Sequence, residues 1–298
     1  MLDDLNELKT FRAILAVGSL SGAARDLGIS LQVASKRLAM LEQRAGIRLI
    51  NRTTRTLSAT EEGASLLIDV ERALDALTSG EDRLVKGRDE PIGTLRISAP
   101  VSFGRRHVGP VLGALVALYP RLSVSLTLDD RVADLVGEGL DVAIRIGATQ
   151  DSSAMMRKLA DNHRILVASP AYLNVAGRPA SIADLHRHEF LRYGTANAPW
   201  AMFGPGGRRQ TIAAPARLRA SNGDAVHDWA VSGLGIALKS ELDVAEDIGC
   251  GRLERVLPDW DGGDTPVVAL YPSGRNLPLK TRAFIDSAIS HLRSMRRA

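Results

Sequence analysis

The chain has 298 residues, 45% of them hydrophobic and 24% charged, with a formal net charge of +4 and one cysteine. This composition excludes a disordered or fibrous chain, and the length favours two domains over one. The lone Cys250 excludes an intramolecular disulfide framework and fits a reducing compartment. The early acids Asp3, Asp4 and Glu7, with no long apolar run, leave neither a signal peptide nor a membrane span. A cytoplasmic location with no membrane partner is therefore expected.

In chain order, Leu5, Leu8, Phe11 and Leu15 recur at helical spacing and predict a helix over about 4–17, ended by Gly18. Ser19 or Ser21 is placed to cap a second helix, in which Ala23 and Ala24 suit close packing, and Gly28 supplies the turn after it. Ser30 is placed to cap a third helix through about Ala45. Ala34, Leu38, Leu41 and Ala45 share one face of it. Gln32, Lys36, Ala39 and Gln43 share the opposite face, with Ser35 beside them. An apolar side for the core and short donors and acceptors on the other side suit the edges of base pairs. The competing reading is a surface helix with a solvated charged face.

Between Leu20 and Thr60 seven cations (Arg25, Lys36, Arg37, Arg44, Arg48, Arg52 and Arg55) stand against two acids, Asp26 and Glu42. An excess of five positive charges on a small unit calls for a polyanion, and duplex DNA is the obvious candidate. Two β-capable runs around Thr53 and Thr54 predict a hairpin with Arg52 and Arg55 near its tip. Such a wing would meet phosphates or the minor groove, adding affinity and register more than base readout. The unit reads as a winged helix-turn-helix.

Thr60 is placed to cap a long helix whose first turn carries Glu61 and Glu62. Leu67, Val70, Leu74, Leu77 and Leu84 follow heptad spacing, interrupted by Glu81. Either this seam packs on its own domain or it meets a second copy; the narrow seam and the acidic back favour a dimerisation helix, which Gly87 and Pro91 close.

From Thr94 strands alternate with helices. Strands are expected at Leu95–Ala99, Ser123–Leu128 and Asp141–Ile146, with helices at Val108–Tyr119 and Val132–Gly137. A second series follows: strand Arg164–Ala168, a helix after Pro170, a strand near Glu189–Tyr193 and a helix at Ala225–Ser232. Val267–Tyr271 and a last helix, Lys280–Met295, return to the first series. This pattern implies doubly wound sheets in two lobes with a cleft between them. The expected class is multi-domain α + α/β: residues 1–60 a winged helix-turn-helix, 61–90 a linker and dimerisation helix, and 91–298 a two-lobed domain. Lobe I would hold about 91–163 and 267–298, and lobe II about 164–266.

Catalytic patterns are weak. Gly233-Leu-Gly235 has no third glycine or lysine of a phosphate loop and reads as a helix-to-strand turn. His186 and His188 have no further ligand near in sequence, and Cys250 has no second cysteine with which to sense oxidants. No catalytic residue, metal or cofactor is expected, nor enzyme activity.

The string FRAILAVGSLSGAARDLGISLQVASKRLAMLEQRAGIRLINRTTRTLSATEEG is similar to the DNA-binding signature of LysR-type transcriptional regulators: a Ser then Ala-Ala, a Ser in the recognition helix, Leu-Glu, Gly, Leu, Arg, and Thr-x-x-Gly. LRISAPVSFGRRHVGP, LDVAIRIG, VASPAYL and AVSGLGIAL resemble the same family's effector-binding domain, so the resemblance spans nearly the whole chain. It implies a periplasmic-binding-protein-like effector domain and homodimers that pair into homotetramers. It also implies a small molecule between the lobes that alters promoter binding or bending; RNA polymerase is a further expected partner. The alternative is a small-molecule binding protein whose N-terminal domain serves only assembly.

On that resemblance base contacts fall on Gln32, Ser35 and Lys36, with Arg37 near phosphate; Ser30 and the wing residues Arg52, Thr53 and Arg55 complete the expected DNA contacts. Many members carry arginine at Lys36, which gives a bidentate fork that lysine lacks, and Leu31 replaces a glutamine seen in some. The effector loop falls on Pro100, Val101, Ser102 and Phe103, with Pro100 standing where some relatives have threonine. Strand-end geometry agrees, because ligands of open α/β sheets sit beyond the carboxyl ends of strands. Asp129 and Arg145 would add to the first wall, Tyr193 and Asn222 to the second. Arg145 either pairs an effector carboxylate or forms an ion pair with Asp129 or Asp141. Arg145 and Tyr193 favour a carboxylate or an aromatic acid.

Overall fold

The computed structural model describes residues 2–52, 57–86, 90–131, 134–147, 154–194, 198–213, 215–273 and 277–295. The chain divides into two units, Met1–Thr94 with Val136–Gly139, and Leu95–Leu135 with Leu140–Ala298.

Side-chain caps set the helices of the first unit. Asp4 accepts the N–H groups of Asn6 and Glu7 and starts α1 (Leu5–Val17), which Gly18 ends at φ 72°. Ser19 accepts the N–H of Gly22 (3.1 Å) at the start of α2 (Leu20–Asp26), and Ser30 that of Val33 (3.2 Å) at the start of α3 (Leu31–Ala45). Leu8, Phe11, Ile14, Ala23, Leu38 and Leu41 close over one another in a single buried cluster, joined by Leu49 and Ile50. β1 (Ile50–Arg52) pairs antiparallel with β2 (Leu57–Ala59), so the stem of the expected wing is formed. Thr53 and Arg55 lie outside the described residues.

The Thr-x-x-Gly stretch joins that wing to α4 (Glu61–Lys86). The hydroxyl of Thr60 donates to the carbonyl of Arg48 (3.0 Å) and accepts the N–H of Gly63 (2.9 Å), while the backbone N–H of Thr60 donates to the carbonyl of Leu49 (3.0 Å). Gly63 is drawn so close that a Cβ there would stand 2.0 Å from the carbonyl oxygen of Leu49. The heptad seam of α4 is divided. Val70 and Leu74 are buried in the unit's own cluster, whereas Leu77 is 43% exposed. To that extent the own-domain reading of the seam holds, because the apolar face of α1 needs a cover.

In the second unit β3 (Gly93–Ala99) leads into α5 (Val101–Phe103), a π-helical turn at Gly104–Val108, and α6 (Gly109–Leu118). The helix expected from Val108 thus begins seven residues earlier in helical form. β4 (Leu122–Leu128) follows. The helix expected at Val132–Gly137 is not formed in its described part: Leu135–Gly139 is a turn, closed by Gly139 at φ 65° and the bonds Gly139 N–H to Val136 O and Leu140 N–H to Leu135 O. β5 (Val142–Ile146) and β6 (Ala154–Ala160) complete the outward run of the first lobe, and β7 (Arg164–Ala168) opens the second.

The second lobe continues through α7 (Pro170–Ala176), β8 (Phe190–Tyr193), the hairpin β9 (Trp200–Gly204) and β10 (Arg208–Ile212), β11 (Leu218–Ala220), α8 (Gly223–Val231), β12 (Ile236–Ser240), α9 (Glu241–Gly249) and β13 (Glu254–Val256). β14 (Val267–Pro272) and α10 (Leu279–Met295) return to the first lobe. Its sheet runs β4-β3-β5-β14-β6 and the second lobe's β11-β8-β12-β7-β13. β3 and β5 are parallel, as are β8, β11 and β12, while β14 is antiparallel to both its neighbours and β7 to both of its own. The chain crosses between lobes twice, and each crossing inserts an antiparallel strand.

Gly63→Ala tests the close approach at the wing. Helix propensity alone favours alanine by about 1 kcal/mol, whereas overpacking against a fixed backbone costs about 1–3 kcal/mol. We expect net destabilisation in urea unfolding of the full chain; an unchanged or raised midpoint would refute the close approach.

Candidate functional site

Two constellations stand out, one in each unit. On α3, Gln32 and Lys36 are exposed on the side away from the buried Ala34, Leu38 and Leu41, with Ser35 half-buried beside them. The Ser30 hydroxyl is an exposed cap whose lone pair is taken by Val33. Arg37 turns back toward α1, its Nη1 donating to the Thr10 hydroxyl at 3.4 Å. Arg44 has partners within the fold: it pairs with Asp3 at 2.5 Å and with the buried Glu7 at 3.2 Å. Glu42 also has a local task, its carboxylate accepting the N–H groups of Leu49 (3.0 Å) and Ile50 (3.2 Å) and so fixing the start of the wing. The cationic run therefore separates by role. Lys36, Arg25 and Arg48 remain exposed, and Arg44 serves the fold.

In the second unit a cleft of about 310 Å³ opens between the lobes. Pro100, Ser102, Phe103 and Arg145 line its first wall and Tyr193 its second, as expected of them. Three expected residues stand elsewhere. The side chain of Val101 does not line the cleft; its N–H donates to the Asp130 carboxylate at 2.9 Å. Asp129 turns to Arg131 at 2.7 Å, and hydrogen bonds from that arginine lower its pKa. Asn222 is spent as the N-cap of α8, accepting the N–H groups of Asp224 and Ala225. Asp141, one of the acids proposed for Arg145, is held by Lys280 at 2.9 Å, while Arg145 donates to the carbonyl of Ile144 at 2.7 Å.

The cleft also uses residues that sequence reasoning passed over. Asp130, next to the residue chosen, has one carboxylate oxygen on Val101 and the other on the N–H of Gly223 across the cleft at 2.9 Å. Its carbonyl accepts the Tyr193 hydroxyl at 3.2 Å, and burial together with the Asp130 charge raises the Tyr193 pKa. Arg164, first residue of β7, lines the cleft; its side chain reaches solvent, yet crowding by the walls lowers its pKa. Among the described residues no carboxylate pairs with it. Trp200, Val226, Ile146 and Leu238 supply apolar surface.

A charged cluster, whose Ser102, Lys239 and Asp243 also line the cleft, ties the lobes together. The buried carboxylate of Asp243 accepts the Ser102 hydroxyl at 2.5 Å and pairs with Lys239 at 2.8 Å. Burial alone would raise its pKa, but Lys239, Ser102 and Arg106 outweigh it and the pKa is lowered. Arg105 bonds to Asp224, and Arg106 donates to the carbonyl of Asp243 at 2.7 Å. His227 stands 3.4 Å from Arg106 through Nδ1 and 3.1 Å from Asp247 through Nε2. A guanidinium only donates, so these partners assign a neutral ring with its proton on Nε2. Its pKa is lowered, by burial first and then by Arg106 and Lys239.

A DNA-binding fold of winged helix-turn-helix type, with a two-lobed α/β domain enclosing a polar cleft, defines a ligand-responsive regulator. Residues 5–64 match the family described as bacterial regulatory helix-turn-helix protein, lysR family, and residues 88–293 match the LysR substrate binding domain. The chain is 37% identical over 292 residues to the HTH-type transcriptional regulator PtxR of Pseudomonas aeruginosa, covering 97% of this chain and 93% of that protein. It is 37% identical over 262 residues to the HTH-type transcriptional regulator DmlR of Escherichia coli, covering 86% and 84%. Among solved structures it resembles CrgA, a LysR-type regulator from Neisseria meningitidis, with TM-score 0.63 and 29% identity over 96% of this chain and 98% of that one. It also resembles full-length AphB, a virulence activator of Vibrio cholerae, with TM-score 0.60 and 30% identity over 97% and 99%. The chain belongs to the LysR family of transcriptional regulators. It is a sequence-specific DNA-binding regulator whose action on its promoter is modulated by a small-molecule effector.

The lowered pKa of His227 sets a pH dependence. The unfolded chain takes up this proton near pH 6.5 and the folded chain only below it. The stability that depends on a neutral His227 is complete above that value and is lost as pH falls through it. Urea midpoints measured from pH 7.5 to 5.5 should decline, and His227→Gln should flatten the decline by at most one proton. An identical slope in the variant would remove His227 from the account.

Proposed function

We propose that the N-terminal turns of α3 enter the major groove, with Gln32, Ser35 and Lys36 at base edges and Ser30 and Arg37 beside the backbone. Arg52, Thr53 and Arg55 of the wing then meet phosphates or the minor groove. In this reading residues 1–60 bind promoter DNA, 61–90 join two copies and 91–298 receive the effector, and the protein acts in the cytoplasm, where promoter DNA lies. The exposed Leu77 of α4, on the half of the seam not used internally, supports a homodimer, and pairs of dimers would form the tetramer.

The effector is a small carboxylate with an apolar or aromatic body, held in the interlobe cleft. The observation that carries this is the combination of charge and surface there: Arg164 has no carboxylate partner among the described residues, and Phe103, Trp200, Val226 and Leu238 line the same cleft. A planar guanidinium matches a carboxylate in a two-bonded fork, and the apolar walls strengthen that attraction by excluding water. Ser102 and Tyr193 already hold protein partners, so they orient the walls and add selectivity for shape.

Two measurements test the reading. A ligand present at a hundred times its Kd stabilises the folded state by about 2.7 kcal/mol. Thermal shifts of the full chain with benzoate and succinate, against benzamide as neutral control, should favour at least one acid. Arg164→Gln should weaken its binding about tenfold or more, because a hydrogen bond to a charged group is worth about 1.5–3 kcal/mol. Equal shifts with benzamide would refute an anionic effector. In mobility shifts on the selected operator, Lys36→Ala should lose about 1–3 kcal/mol and relax one base position; loss that is uniform across sequences would place Lys36 on phosphate instead.

A further inference from the structure

The first turn of α3 presents more apolar surface than a solvated helix end needs. Leu31 is 53% exposed and Val33 39% exposed, on either side of the exposed Gln32. Neither belongs to the buried cluster that takes Leu38 and Leu41 from farther along the helix. Cα–Cβ bonds in a helix tilt toward its N-terminus, so the side chains of the first turn lead the helix into whatever it enters. Leu31 is the foremost of them, directly after the Ser30 cap.

On the major-groove edges of base pairs, the one apolar group is the thymine C5 methyl; every other feature is a donor or an acceptor. An exposed leucine beside polar readers has no partner on the phosphates and none on guanine or cytosine. We propose that Leu31 is a specificity-determining residue, reading a thymine methyl beside the base contacted by Gln32. Where a glutamine at this position would have offered two hydrogen bonds, this chain offers a methyl-sized hydrophobic contact. The half-site then carries a preferred thymine. Contact with the methyl removes apolar surface from water on both partners and rejects cytosine, whose C5 carries only hydrogen. The proposal rests on the reading that α3 enters the groove.

The test uses the full-length protein and duplexes selected by it from a random-sequence pool. Each thymine of the selected site is replaced in turn by deoxyuridine, which deletes only the methyl. One position per half-site should weaken binding about fourfold, the worth of one methyl group removed from water. With Leu31→Ala that ratio should fall to about one at the same position, while Lys36→Ala leaves it unchanged. Since Leu31 is exposed, Leu31→Ala should keep the wild-type melting temperature. Deoxyuridine tolerated everywhere, a penalty that persists in Leu31→Ala, or one that disappears only in Val33→Ala overturns the assignment. Failure to select any preferred sequence refutes the reading of α3 itself, and the proposal with it.

Discussion

The Asp243 carboxylate holds the ligand-binding half of the molecule together. A carboxylate removed from water is costly unless its lone pairs are matched, and here Lys239, Ser102 and Arg106 match them from both sides of the cleft. Removing one partner of such a buried pair costs about 3–5 kcal/mol, because the remaining charge stays in place. The cluster therefore fixes how the two walls meet rather than supplying bulk stability, which comes from hydrophobic cores such as those around Phe103, Ile144 and Phe284 and around Leu166, Phe190 and Ile236. The cleft inherits its shape from that definition. Ser102 lines it and anchors it at once.

The DNA-binding half is set by short-range chemistry, and it was correspondingly legible. Ser19, Ser30 and Thr60 cap their helices because each side chain reaches a backbone N–H three residues ahead, a relation written in the sequence itself. The role of Gly63 was visible only as a motif. Its reason, the carbonyl of Leu49 lying where a side chain would stand, appears when the wing folds back on α4. Arg44 illustrates the opposite case. Its charge counted toward a polyanion footprint, but Asp3 and Glu7, some forty residues away in sequence, claim it.

The effector domain was legible as an alternation of strands and helices, and the loop after the first strand fell on the cleft. Other site residues were hidden for physical reasons. Beyond Leu128 the strand ends and side chains no longer alternate between faces, so Asp129 and its neighbour Asp130 could not be told apart. Asn222 was a plausible polar ligand until α8 began one residue later and took it as a cap. Arg164 and Lys239 line one cleft because β7 and β12 are neighbours in an antiparallel pair, and nothing local announces a pairing across such a separation. The seam of α4 read as a dimer helix, but periodicity reports that a face is apolar and not what covers it.

The two oxygens of Asp130 are committed to amides on opposite walls, one on Val101 and one on Gly223. A molecule that fits the space already enclosed leaves both bonds standing and is accommodated by a frame that does not move. Parting the walls would break the bond to Gly223 and expose its N–H to water, while the bond to Val101, in the same lobe as Asp130, would stand. The side chain thus ties the spacing of the two walls to a hydrogen bond that parting them would break.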